Sequence, residues 1–386
     1  MMPRKPALRL EYLDGLRAVA SLYVVLFHSG LFAGMLPSSA PFLARNLQRA
    51  LSYGHDAVAV FIVLSGYCLM LPVARADGDL KRGLRNYFAR RAFRILPPYY
   101  AALIASLALL VLVPALQTPN HTMWDDTSPP FGFASIGSHL LLIHNLLPSV
   151  VHRINGPLWS VATEWQIYFF FPLFLLPMWR RFGALAAVVA GFVLGCVPIW
   201  LAHDVAYAAN TWYLGLFALG MCAAAVNVAP RAAALRERAL WGPLSLALLA
   251  ASAIGATVLI KFWFRFMPLS DALVGATTAA ALLYLTRDAL RTAGPRHLAL
   301  RFLESGPLVG LGRFSYSLYL THLPVVALCY LVIAPLALSP ASQMAALIAL
   351  SLPASLLLAF AFFWTFERRF VGDPRSLFAR TEASAD

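Results

Sequence analysis

The sequence predicts an all-α fold, a polytopic membrane helix bundle of about ten transmembrane helices. Three observations predict it. Of the 386 residues, 60% are hydrophobic and only 12% are charged, with a mean hydropathy of +0.72; a soluble domain carries about 25% charged residues. Ten apolar runs are spread evenly along the chain, each near the roughly 20 residues that span a hydrocarbon core. Lysine and arginine are sorted between alternate loops: with the N-terminus inside, 23 fall in inner segments and five in outer ones, while Arg17 and Arg313 lie within spans. Positive-inside sorting gives that pattern. The net charge of +13 therefore points to a bilayer and not to nucleic acid, because the basic residues sit in short loops and not on one face.

The elements follow in order. Residues 1–9 are short and basic like the n-region of a signal peptide, but the next run holds Arg17 and His28 and has no clean cleavage site. It reads as a retained first helix over 13–35. The second run, 55–75, contains Ser65-Gly66-Tyr67, where the glycine suits close helix contact. A basic loop with Arg90, Arg91 and Arg94 leads into the third run, 96–116. The outer loop 117–157 is the longest connection, and within it 134–150 reads as a short interfacial or re-entrant helix. The fourth run, 158–178, carries Trp159, Ser160, Glu164 and Tyr168. Runs at 182–202, 206–228, 240–260 and 268–287 follow at span length. The ninth, 307–334, carries Arg313 and His322, and the tenth covers 342–365. Residues 1–373 form one membrane unit, and 374–386 a polar cytoplasmic tail. Cys68, Cys196, Cys222 and Cys329 all lie in apolar runs without ligand spacing, so neither a disulfide nor a metal site is expected.

Ionisable groups inside spans are costly and mark candidate sites. Asp14 and Arg17 stand three apart and can pair on one helix face. His28 lies eleven residues beyond Arg17, on the same face and about 16 Å further along the axis. By helix direction, His28, Glu164 and His322 reach a similar depth in the outer half of the bilayer, and Arg17 and Arg313 a similar depth in the inner half. A buried histidine suits a general base; a neighbouring carboxylate can orient its ring; arginines at the inner mouth suit phosphate groups. The layout suggests a phosphorylated donor entering from the cytosol, its reactive end reaching towards His28. Plainer readings stand beside this. Arg17 and Arg313 can snorkel, the arginines at 90–94 can act only as topology signals, and Glu164 and His322 can brace helices. His121, His139 and His144 lie in or near a loop and are expected to do nothing chemical.

Five segments resemble motifs of the membrane-bound acyltransferase-3 family, bacterial proteins that acylate hydroxyls on surface glycans, antibiotics and similar acceptors. They are YLDGLRAVASLYVVLFHSG, with Arg17 and His28; GHDAVAVFIVLSGYCL; RNYFARRAFRILPPYY, with an R-x-x-R pair at Arg91 and Arg94; NGPLWSVATEWQIYFFFPL, with Trp159, Ser160 and Glu164; and GRFSYSLYLTHLP, with Tyr316, His322 and Pro324. Ile62 and Tyr67 are mild departures from the second motif. The resemblance implies an acyltransferase that binds no cofactor and uses an acyl-coenzyme A co-substrate, with acetyl-coenzyme A the first expectation. It implies donor binding by Arg17, Arg91 and Arg94. His28 would be the base, with Glu164, Asp14 and Arg17 in the catalytic set. Trp159, Ser160, Tyr168, Tyr316 and His322 would position the acceptor or the base. The expected acceptor is a carbohydrate or other hydroxylated molecule, and the expected place is a bacterial inner membrane with both termini cytoplasmic. No fused esterase-like domain follows, so transfer is expected to finish on this chain or on a separate partner. The competing reading is a carrier of acyl groups or donor for another transferase; it should show paired broken helices in two related halves, which the sequence does not display.

Overall fold

The computed structural model describes residues 10–80, 83–229, 232–238, 240–258, 263–291 and 296–371. The tail expected over 374–386 lies outside them. The helices are α1 (Tyr12–Phe32), α2 (Phe42–Ala50), α3 (Gly54–Ala74), α4 (Gly83–Leu112), α5 (Phe133–Leu140), α6 (Leu158–Phe170), α7 (Leu176–Phe182), α8 (Ala184–Leu201), α9 (His203–Ala209), α10 (Tyr213–Val228), α11 (Ala233–Arg236), α12 (Trp241–Val258), α13 (Trp263–Ala289), α14 (Leu298–Leu303), α15 (Gly306–Gly312), α16 (Ser315–Ile333) and α17 (Pro340–Phe362). No strand occurs among the described residues. Eight helical stretches are long and apolar enough to cross a bilayer, the α9–α10 pair makes a ninth that is bent by 43°, and Trp241–Ala253 is a shorter apolar helix at the remaining run. All ten apolar runs are therefore helical. On α8 the residues Leu185, Val189, Val193, Val197 and Trp200 form an exposed stripe at helical spacing, the face a span turns to lipid.

Several boundaries differ from expectation, each for a local reason. The segment with Arg90, Arg91 and Arg94 is not a loop but the first half of α4, which starts at Gly83. Neither Gly nor Pro interrupts 84–96, and its alanine, leucine and arginine are good helix formers. The sixth run breaks at Asn210, whose φ of 49° is left-handed, a conformation asparagine tolerates. The ninth run divides at Arg313–Phe314 into α15 and α16. There the Glu367 carboxylate, itself buried, accepts from the Ser317 backbone N–H at 3.1 Å and the Ser317 hydroxyl at 2.5 Å, satisfying an orphan donor in the first turn of α16. In the first outer loop, α2 buries none of its residues and exposes Phe42, Leu43 and Leu47; sequence reading did not find it.

The core forms around α3, held against α10 by reciprocal glycines. A Cβ on Gly66 would stand 2.0 Å from the Phe217 carbonyl oxygen, and one on Gly220 would stand 2.0 Å from that of Val63. Backbones this close are what small residues permit between membrane helices. Helix α1 runs antiparallel to α3: Gly54 packs on Phe27 at one end, and Cys68 meets Arg17 at the other.

Candidate active site

Helices α1, α3, α4, α6 and α16 enclose a cavity of about 940 Å³. At one end stand Arg90, Arg91 and Arg94 from the extended first half of α4, with Arg17 from α1 and Arg313 from the break before α16. Only Asp14, Asp79 and Glu164 among the lining residues offset these five cations, so the end is electropositive. The Arg91 Nε is buried and has no partner among the described residues. Arg17 Nη1 donates to Asp14 Oδ1 at 2.9 Å, the pairing their spacing predicts, and Nη2 donates to Cys68 Sγ at 3.0 Å. These contacts fix the guanidinium at the wall.

Further along, α6 contributes Ser160, Glu164 and Tyr168 at one-turn intervals, all lining the cavity. The Tyr168 hydroxyl donates to Glu164 Oε1 at 2.5 Å and lies 3.0 Å from Ser65 Oγ; because its proton goes to the carboxylate, Ser65 is the donor in the second contact. Ser160 Oγ is 2.6 Å from the Tyr319 hydroxyl. Tyr316 also lines the cavity and donates to the Ile95 carbonyl at 3.2 Å.

His28 and His322, eleven and seven residues along their helices from Arg17 and Ser315, meet side by side. His322 is fully buried, and its Nδ1 stands 2.8 Å from the Tyr319 carbonyl and 3.1 Å from that of Leu318. A carbonyl only accepts, so Nδ1 carries the proton and Nε2 is a lone pair. That lone pair faces His28 Nδ1 at 3.0 Å, and His28 Nδ1 also lies 2.9 Å from the Val24 carbonyl. The His28 proton therefore sits on Nδ1, which leaves Nε2 basic; no hydrogen bond occupies it among the described residues. The ring is only partly buried.

The structure thus brings together most of the residues expected from sequence, in two groups. Asp14, Arg17, Arg91, Arg94, Ser160, Glu164, Tyr168 and Tyr316 line the cavity; His28, His322 and Trp159 do not. Tyr319 joins the groups, since its hydroxyl meets Ser160 and its carbonyl holds His322. The imidazole of His28 is oriented by His322 and Val24 and not by a carboxylate, because Glu164 is engaged by Tyr168.

Sequence reading missed three buried polar clusters. One links His55 to Asp271. A second joins Tyr12, Thr286, Tyr67 and Asn227. The third is Glu367 on Ser317. The rule that flagged Glu164, a carboxylate within an apolar run, applies equally to Asp271. In the outer loop, His139 and His144 are fully buried and stack at 3.8 Å. Burial, and then the neighbouring His139, push His144 down to about 3, and burial lowers His139 as well.

The profile described as an acyltransferase domain matches residues 10–364. The acyltransferase MdmB of Streptomyces mycarofaciens is 27% identical over 84% of this chain and 81% of its own. YrhL of Bacillus subtilis, a protein provisionally named as a peptidoglycan O-acetyltransferase, is 27% identical over 82% of this chain and 48% of its own. The O-acetyltransferase OatA of Staphylococcus aureus is 24% identical over 82% of this chain and 50% of its own. The chain thus spans about half the length of the last two. No solved structure matches it.

Proposed function

The chain belongs to the acyltransferase-3 family, and we propose that this membrane acyltransferase moves an acetyl group from acetyl-coenzyme A to a hydroxyl of a surface glycan or other hydroxylated acceptor. The observation that carries the reading is the His322–His28 hydrogen bond, which leaves one imidazole nitrogen basic at the outer end of the first span. The named activities of YrhL and OatA, both O-acetyltransferases, support the oxygen acceptor. The arginine-rich end of the cavity supports a donor with phosphate groups, which guanidinium groups grip in bidentate fashion.

In this reading Arg91 and Arg94 hold the donor's phosphates, and Arg17, fixed by Asp14, holds its polar groups near the wall. The thioester extends along the cavity past Glu164 and Ser160. His28 Nε2 takes the proton of the acceptor hydroxyl as its oxygen attacks the thioester carbonyl. The C–S bond breaks, the coenzyme A thiolate leaves, and the proton held by His28 returns to that sulfur. His322 stabilises the imidazolium by accepting from Nδ1. We also propose a bacterial inner membrane location with the arginine end facing the cytosol, where positive-inside sorting puts it.

The test is His28→Ala in purified protein. Loss of acyl transfer by about 10²–10⁴-fold, the range for a general base, with normal insertion and thermal stability, is expected. Transfer at the wild-type rate would overturn the mechanism.

A further inference from the structure

Helix α2, in the loop between the first two spans, takes no part in the reaction above. Its side chains are sorted by face. Leu43 and Leu47, one turn apart, are 79% and 46% exposed, and Phe42 beside them is 76% exposed. Arg45 and Arg49, also one turn apart, fall on the opposite face at 3.6 residues per turn. Arg45 Nε donates to the Ala40 carbonyl at 3.1 Å, while Arg49 is exposed. The helix is thus amphipathic, yet none of its residues is buried against the protein.

Its bonds to α1 set its depth. The Tyr23 hydroxyl donates to the carbonyl of Ala50, the last residue of α2. Gln48 Nε2 donates to the Gly34 carbonyl at 2.6 Å, and Gln48 Oε1 accepts from the Leu36 N–H at 3.0 Å. Helix α1 has 21 residues, about 31 Å at 1.5 Å per residue, which matches the roughly 30 Å of a hydrocarbon core. Phe32 therefore marks the outer edge of that core. Tyr23 lies nine residues before Phe32, about 13 Å lower on the axis, further than a tyrosine side chain reaches. Ala50 is accordingly held below the level of Phe32, inside the outer leaflet, while Gln48 keeps the helix beside the end of α1. Gly54, which opens α3, packs on Phe27, so the next span starts at a similar depth.

We propose that α2 is an interfacial anchor whose partner is the phospholipid of the outer leaflet. Phe42, Leu43 and Leu47 enter the upper acyl region, and the Arg49 guanidinium rises to the phosphates. An amphipathic helix with cations on its polar face seats its apolar face about 5–10 Å into the boundary between headgroups and acyl chains. The Tyr23 and Gln48 bonds hold α2 at such a depth. Arginine carries its charge to an anion on a flexible apolar stem. A second copy of the chain is the poorer fit, since three side chains fall far short of the roughly 800 Å² per partner in a stable interface. The anchor is independent of the acyl-transfer reading, but it bears on the same helix. Its ties to α1 at Tyr23 and Gly34 stand on either side of His28.

The experiment uses the full chain in nanodiscs of phosphatidylglycerol and phosphatidylethanolamine. The first measurement keeps the native cysteines: Phe42→p-benzoylphenylalanine is irradiated and the intact mass is read. A phospholipid adduct is expected, as for the same photoreactive residue at Val193 on the exposed stripe of α8. A cross-link to a second copy of the chain, or no lipid adduct at Phe42 when Val193 gives one, would overturn the anchor. The second measurement places a nitroxide on Leu43→Cys after the four native cysteines are changed to alanine. Its collision rates with oxygen and with a water-soluble nickel complex are expected to put it about 5–10 Å below the phosphates. The same label on Ser149→Cys, exposed in the long outer loop, reports water. Nickel access at Leu43 equal to that at Ser149 would overturn the proposal. Adding Arg49→Glu is expected to shift the Leu43 label towards water; an unchanged depth would overturn the phosphate contact.

Discussion

In the proposed reaction, two histidines in contact divide the work of a base and its support. His322 has its proton fixed by backbone carbonyls that can only accept, so it must receive a hydrogen bond from His28. The result is one tautomer for each ring and one unoccupied nitrogen. In the proposed reaction the arginines are point contacts for a charged donor, and they line the cavity while His28 and His322 do not. That separation gives a kinetic signature. Arg91→Ala combined with Arg94→Ala is expected to raise the donor KM about tenfold or more, since hydrogen bonds to charged groups contribute about 1.5–3 kcal/mol, while the acceptor KM stays near wild type. Steady-state kinetics with each substrate varied in turn decides it; a rise in the acceptor constant alone would contradict donor binding at this end.

Elements set these residues in place through close backbone approach. Gly66 on α3 faces the backbone of α10 at Phe217, and Gly220 on α10 faces that of α3 at Val63. Ser65, next to Gly66, then reaches Tyr168, so the seam between α3 and α10 also controls the cavity wall. Gly66→Ala forces a Cβ against a carbonyl oxygen that cannot rotate away. Overpacking costs typically about 1–3 kcal/mol, and the expected result is a clear fall in thermal stability, measured by fluorescence size-exclusion after heating. Gly310→Ala is the control, since no atom lies within 4 Å of its added Cβ; equal stability of the two variants would contradict the close-packing account. The first half of α4 is the other decisive element: as a helix it presents Arg90, Arg91 and Arg94 at fixed spacing to one cavity.

For the molecule as a whole, the ten helical runs and the sorting of lysine and arginine make one consistent picture. Alternate connections carry the basic residues, and the cavity's cationic end lies on the same side as those connections, because Arg17 begins α1 and Arg94 lies in the first half of α4. Reporter fusions test the direction. A fusion at Gly183, after Arg180 and Arg181, is expected to be cytoplasmic, and one at Asn120 in the long loop is expected to lie on the far side. The opposite pattern would place the donor mouth outside and contradict the use of a cytosolic donor.

Composition and periodicity alone determined that this chain is a helical membrane bundle, because a bilayer imposes span length and apolar content directly on the sequence. Depth along each helix was also legible, since a fixed rise per residue predicted that His28 and His322 would stand level. Rotation about each helix and the choice of neighbours were not. Only the tertiary structure decided that His28 pairs with His322 while Glu164 pairs with Tyr168, that the basic segment is helix, and that His55 and Asp271, 216 residues apart, share a hydrogen bond. Those outcomes depend on which faces pack together, and in a chain apolar on nearly every face the sequence carries little record of that.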